Sequence, residues 1–204
     1  MVMNLQRRKF PRQNTNMRMS HLMKRQSGQV NWTAGVFLML FVAVFLFAAL
    51  QVERFKAASV YAEDALAASN LASALVDLRE YGISHRVLIA DPQEAYGRYC
   101  AALKENLNLD SEWRGAENSV VPGVVTVENY TVYNVDGGSV WVYQFGHIGE
   151  AVWEEQLGVA KAPNGMLIED TSVYSQICFD VSVMWGGKIT AHKGKLAVVR
   201  RENE

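Results

Sequence analysis

Apolar residues fill the chain from Trp32 to Val52, WTAGVFLMLFVAVFLFAALQV, without one charged side chain. The run matches the roughly 20 residues that a helix needs to cross the hydrocarbon core of a bilayer. Beyond it the pattern turns amphipathic without breaking. VERFKAASVYAEDALAASNLASALVDLREYG has no proline and no glycine before Gly82 and is rich in alanine, the best helix former. The pattern predicts one continuous helix from Trp32 to Tyr81, about 50 residues and about 75 Å long, far beyond the ordinary globular helix. Within it Ala58, Ala62, Ala65, Ser69, Ala72 and Val76 recur at intervals of four and three, a seam of small side chains that another helix can approach closely. That partner is either a second copy, helix beside helix, or a later segment of the same chain. Leu71, Leu75 and Leu78 form a larger apolar stripe on a neighbouring face, suited to burial under a globular domain.

After Gly82, a residue suited to a left-handed helix cap, the periodicities shorten. A brief apolar run, Val87 to Ala90, leads to Asp91-Pro92-Gln93-Glu94, which combines an N-cap, a first-turn proline and a capping-box glutamate. The helix it starts carries Ala95, Tyr99, Leu103 and Leu107 on one face and stops near Asn108. From Val120 the texture is β. VVTVENYTVYNV and SVWVYQF flank the turn Asp136-Gly137-Gly138 and predict a hairpin. His147 to Ala160 is ambiguous, although Ala151, Val152, Glu154, Glu155 and Leu157 suit a short helix, and Pro163-Asn164-Gly165 marks a loop. A second hairpin is read in SVYSQICFDVSVMW, where Val173, Ile177, Phe179, Val181, Val183 and Trp185 share one face and Gln176, Cys178, Asp180 and Ser182 the other. Gly186-Gly187 turns it, and Lys188 to Arg200 returns with Ile189, Leu196 and Val198. The expected class is α+β: a long N-terminal transmembrane and amphipathic helix with a small head of about four antiparallel strands packed on helix.

Charge gives the long helix a direction. Arg7, Arg8, Lys9, Arg12, Arg18, Lys24 and Arg25 precede the apolar run, and the first acidic residue is Glu53. Removing those seven from 20 Lys and Arg leaves 13 against 21 Asp and Glu, so the remainder carries −8. Basic residues before a first span hold that end in the cytoplasm and place the C-terminal domain outside. A nucleic-acid patch is the competing reading of the leader, and the adjacent span argues against it. A cleaved secretory signal has a core of about 7 to 15 residues. Here the run is longer and helical register continues past the small residues Ala48 and Ala49, which favours a retained helix. A length of 204 residues then leaves material for one modest outer domain.

Candidate chemistry is sparse. Histidines stand at 21, 85, 147 and 192 with no metal-ligand spacing, so His85 and His192 read as surface residues unless the fold brings cysteines or carboxylates to them. No glycine-framed nucleophile turn, dinucleotide fingerprint or P-loop occurs. Glu154-Glu155 is a paired carboxylate whose members point apart on a helix. The expectation is a protein that is not an enzyme, with no catalytic residue, cofactor or metal and no nucleic-acid partner. Cys100 and Cys178 both fall outside the membrane, where an oxidising exterior permits a disulfide between them; burial as small apolar thiols is the alternative.

The basic leader ending Lys24-Arg25-Gln26-Ser27-Gly28, the immediate apolar helix, its alanine-rich continuation and the small β-containing head together resemble type IV pilin-like proteins, closest in appearance to the TadE-like pseudopilins of tight-adherence pili. The resemblance implies cleavage by a prepilin peptidase between Gly28 and Gln29, with a leader over 1–28, a helix over 29–82 and a head over 83–204. It also implies a single-pass location in the cell membrane, incorporation into a surface pilus, and partners that are sister pilins, the peptidase and an assembly platform. Most pilins carry glutamate five residues into the mature chain; here that position is Thr33, which points to a minor subunit or an uncleaved membrane protein rather than a major subunit. A membrane-anchored extracytoplasmic sensor or ligand-binding module is the second reading.

Overall fold

The computed structural model describes residues 16–116, 119–183 and 187–199, with side chains from Trp32 onward except Ser182. The leader residues Arg7 to Arg12, and Trp185 and Gly186 of the second hairpin's expected end, lie outside the described residues. The chain divides into two compact units, Met1–Leu50 and Gln51–Glu204. Helix α1, Asn16–Ser73, contributes to both.

In the first unit the backbone of Gly28 and Gln29 is helical. Here α1 shows its apolar side chains on every side: Phe37 is 74% exposed, Phe41 72% and Phe45 67%. Leaving such side chains in water forfeits about 1.5–3 kcal/mol each, so this surface requires another apolar medium. Among the described residues this is the one helix long and apolar enough to cross a bilayer.

In the second unit, helices line one face of an antiparallel sheet. α1 ends at Ser73, short of the expected Tyr81. The chain then extends: Val76 bridges Ile89, and the Asp77 N–H donates to the Leu88 carbonyl at 2.8 Å. Asp77 restarts the helix as α2, Leu78–Ser84, its Oδ1 accepting from the N–H groups of Arg79 and Glu80. Asp77-Leu78-Arg79-Glu80 is itself a start signal, with an N-cap and an acid three residues on, hidden inside an otherwise unbroken helical pattern. Gly82 lies within α2, and the left-handed cap is His85 at φ 56°. Helix α3, Pro92–Asn106, follows its start signal closely: Asp91 accepts from the Glu94 N–H at 2.9 Å, and Ala95, Tyr99 and Leu103 are buried.

The strands are β1 Arg114–Gly115, β2 Gly123–Asp136, β3 Ser139–Phe145, β4 Ala151–Gln156, β5 Ser172–Ser182 and β6 Lys188–Val198. They order as β4-β3-β2-β5-β6, with β1 paired to the start of β2. The β2–β3 hairpin turns at Gly137, φ 61°, as its sequence predicts. The stretch expected to form a helix after His147 is instead edge strand β4, pairing Trp141 with Glu154 and Val142 with Trp153. Nearly every residue of β4 is exposed, so no buried alternation marks it in the sequence. Its charges suit an unpaired edge.

On the helix side the core joins Val125, Val127, Tyr130 and Val132 of β2 to Val173, Ile177, Phe179 and Val181 of β5 and to the buried residues of α3. Tyr99 and Tyr130 pack at 4.7 Å between ring centroids, and Tyr96 stacks on Phe145 at 5.3 Å. Part of the opposite sheet face is covered by the chain's own loop, where Ala160, Ala162 and Ile168 close over Tyr133, Val140, Val142 and Tyr174. Asn134 holds the segment before α3 through both the N–H and the carbonyl of Ile89, at 2.9 Å each.

The small-residue seam belongs to this core. Ala58, Ala62, Ala65 and Ser69 are covered by the chain itself, Ala72 is exposed, and Val76 lies past the end of α1. Of the two partners that the sequence leaves open, the structure shows a later part of the same chain at four of the six members, and the other two are not on the packed face. Small side chains let α1 approach bulky neighbours, and polar bonds fix the approach. Tyr61 donates to the Asn106 carbonyl at 2.7 Å, Asn106 to Ser69 at 3.0 Å, and Tyr130 to Ser73 at 2.9 Å. Glu63 takes ion pairs from Lys195 at 2.6 Å and Lys193 at 3.5 Å, and Asn70 donates to the Lys195 carbonyl at 2.9 Å. The leucine stripe expected to be covered faces outward instead, Leu71 at 68% and Leu78 at 80% exposure.

Two measurements test this packing. Ala62→Leu overfills the interface and lowers stability by about 1–3 kcal/mol, whereas Leu71→Ser changes it by less than about 0.5 kcal/mol; denaturant unfolding of the full chain in detergent reads both, and equal effects would contradict the assigned faces. The hydrogen bond and charge of Lys195, with Lys193 adding to them, hold the Glu63 carboxyl below its ordinary value of 4.5. A depressed carboxyl stabilises the fold above its unfolded value, and the contribution is lost as pH falls through the folded one. Glu63→Gln therefore flattens the acid limb of the stability profile below pH 4.5 and lowers stability at neutral pH.

Candidate functional site

The sheet's outward face carries one cluster of ligating side chains, built from three neighbouring strands. Along β5, residues facing away from the helices are Tyr174, Gln176, Cys178 and Asp180, by the alternation that buries Val173, Ile177 and Phe179. Cys178 stands directly opposite Thr126 of β2 on one side and His192 of β6 on the other. The β2–β5 ladder has a bulge between Val127 and Asn129, and the extra residue is Glu128. A bulge re-aims a side chain, and this one turns the Glu128 carboxylate toward Cys178 and His192. The loop after β3 secures the bulge: His147 and Ile148 donate their N–H groups to the carbonyls of Val127 and Glu128. A side chain at Gly146, φ 116°, would press on the Glu128 carbonyl.

The distances are short. His192 Nδ1 lies 3.0 Å from both carboxylate oxygens of Glu128. Gln176 Nε2 donates to Glu128 Oε2 at 2.8 Å, and the Gln176 amide oxygen accepts from Tyr174 Oη at 2.9 Å. A Cβ at Gly194, opposite Gln176, would fall on the Tyr174 hydroxyl, so glycine there leaves room for the relay. One donor atom each from Glu128, Cys178 and His192 lies within 4.8 Å of the others. Glu128 and Cys178 are half-buried and His192 is exposed.

The hydrogen bond from His192 holds the Glu128 carboxyl below the usual carboxylate range; partial burial opposes this, and Gln176 and the charges of His192 and His147 assist. Burial, together with Glu128 and Asp180, pushes the Cys178 thiol up.

The other singled-out residues are dispersed. Both cysteines are free. Cys100 packs against the helix-side core while Cys178 faces the other side of the sheet, so the disulfide between them is excluded by the sheet that separates them. Burial raises the Cys100 thiol, with Tyr96 and Lys104 working against that shift. His85 caps α2 and meets Tyr81 edge-on at 6.0 Å. Glu154 and Glu155 point to opposite sides of β4, and Glu155 accepts from the Trp153 indole at 2.7 Å.

His192 was legible as a residue but not as a neighbour of Cys178. A two-residue turn at Gly186-Gly187 would pair Cys178 with Lys195. In the structure the Val183 N–H closes on the Gly187 carbonyl at 2.8 Å, and this wider connection moves the register so that Cys178 meets His192. Glu128 required the bulge, for which the sequence holds no glycine or proline signal.

These features define a class of protein: an antiparallel-sheet head that includes the end of a long helix, with the same helix apolar on all sides over residues 32–50. No family model, curated protein or solved structure matches the chain.

Separation of the cysteines gives a direct check. Thiol titration of the unfolded, unreduced chain yields two thiols per molecule, and a value near zero would restore the Cys100–Cys178 bridge.

Proposed function

We propose that this chain is a membrane-anchored, pilin-like subunit, a pseudopilin or minor pilin, that takes part in assembling a tight-adherence or related type IV-like pilus or secretion apparatus. The observation that carries the reading is a single helix, α1, whose residues 32–50 show apolar side chains on every side and whose residues after 51 seat a small-residue face in the head. An element of this kind has one half for a bilayer and one half for a folded domain. Basic residues before the span favour a cytoplasmic N-terminus and an extracytoplasmic head.

The role is mechanical rather than catalytic. The apolar half holds the subunit in the membrane before assembly and transfers into a bundle of like helices when an assembly platform extracts it. Contacts that repeat head to tail are heterologous and extend into open helical filaments. Because the head occupies Ala58, Ala62, Ala65 and Ser69, lateral contacts between subunits fall instead on the apolar residues before 51. Thr33 at the position where such pilins place glutamate favours a minor subunit, since no carboxylate is offered there to a neighbour's terminal amine.

Processing distinguishes this reading from the alternative. Mass spectrometry of the membrane-extracted protein finds Gln29 as the N-terminus, and Gly28→Val abolishes cleavage, leaves a slower-migrating band and prevents incorporation into sheared surface filaments. An intact N-terminus with no filament association moves the assignment to a membrane-anchored sensor or binding module, a reading that the outward-facing Glu128–Cys178–His192 cluster supports.

A further inference from the structure

We infer that Glu128, Cys178 and His192 form a binding site for a divalent cation of the zinc type, held by one side chain from each of β2, β5 and β6. The donor set is the first reason. A sulfur, an imidazole nitrogen and a carboxylate oxygen are zinc's ordinary ligands, and sulfur with imidazole selects against magnesium and calcium.

Geometry is the second. Bonds of about 2.0–2.3 Å in a tetrahedral site set donors about 3.3–3.8 Å apart. The present donors lie within 4.8 Å of one another, with His192 Nδ1 and Glu128 at 3.0 Å. Ordinary side-chain rotation closes the difference without moving the strands.

The surroundings are the third reason. Ligating carboxylates are normally oriented by hydrogen bonds from outside the metal shell, and Gln176, itself held by Tyr174, does this for Glu128. Gly194 leaves space for that pair, and the Glu128 bulge is secured by the loop after β3. On binding, the Cys178 thiol releases its proton to solvent, and the imidazole coordinates in its neutral form. Thiolate and carboxylate then balance the cation's two charges. His192 is exposed, so a fourth position faces solvent and accepts water or a donor from another molecule. The cation would tie edge strand β6 to β5 and β2 and stiffen the outward sheet face. The site is independent of processing at Gly28 and of the pilin reading.

Cobalt(II) titration of the full chain in detergent, purified without a metal-binding tag and with thiols reduced, is the test. One equivalent per chain produces tetrahedral visible bands with a thiolate-to-cobalt charge-transfer band, and zinc displaces both. Cys178→Ser and His192→Ala lose these bands while circular dichroism shows an unchanged fold, and Cys100→Ser keeps them. Gln176→Ala weakens affinity by about tenfold to a hundredfold. Absence of stoichiometric bands, or their survival in Cys178→Ser, overturns the site.

Discussion

The helix side of the head depends on the packing of α1 with the sheet and α3 in one buried core. To that core α1 contributes a face of small side chains, Ala58, Ala62, Ala65 and Ser69. Tyrosines then fill the space: Tyr99 and Tyr130 are fully buried where larger helix side chains would collide with them. Buried polar groups are costly without partners, and here the serines have them. Ser69 donates to the Ala65 carbonyl and accepts from Asn106, while Ser73 donates to the Asn70 carbonyl and accepts from Tyr130. These bonds orient the helix as well as stabilise it, because a rotation would break several together.

The same constraint explains what the rest of α1 presents. A face committed to the head is withdrawn from other partners, so the large apolar residues elsewhere are left outside the protein's own core. Phe37, Phe41 and Phe45 are the clearest cases, and Leu71 repeats the arrangement beyond residue 51. A bilayer, or a bundle of like helices, offers the first group what water does not. In the proposed function, membrane anchoring and lateral assembly would be two uses of that one surface.

The sheet has its own division of labour. One face makes the main core, and the other is covered in part by the loop that carries Ala160, Ala162 and Ile168. Where that loop does not reach, the outward face exposes polar side chains, and a single inserted residue in β2 draws Glu128 into line with Cys178 and His192. A bulge costs a regular ladder pairing. At this position the cost is offset by bonds from the loop after β3 and by the Gln176–Tyr174 relay.

Several elements were readable from local chemistry alone. The uncharged run from Trp32 to Val52, the start signal at Asp91-Pro92-Gln93-Glu94, the Gly137-Gly138 hairpin and the alternation along β5 each depend on neighbours in the chain, and each appears as read. Failures occurred where a distant partner decided the outcome. β4 is a strand because β3 offers it an edge, not because its exposed residues alternate. The break after Ser73 arises where Asp77 finds the Leu88 carbonyl and caps α2, overriding a pattern of strong helix formers. Sequence by itself determined the apolar helix and the α+β class, since hydropathy and its periodicity are properties of the chain. Only tertiary structure decided which face of that helix is buried and which side chains meet on the outer sheet. Those outcomes turn on the register of one hairpin and the position of one bulge, each of which shifts a whole row of side chains at once.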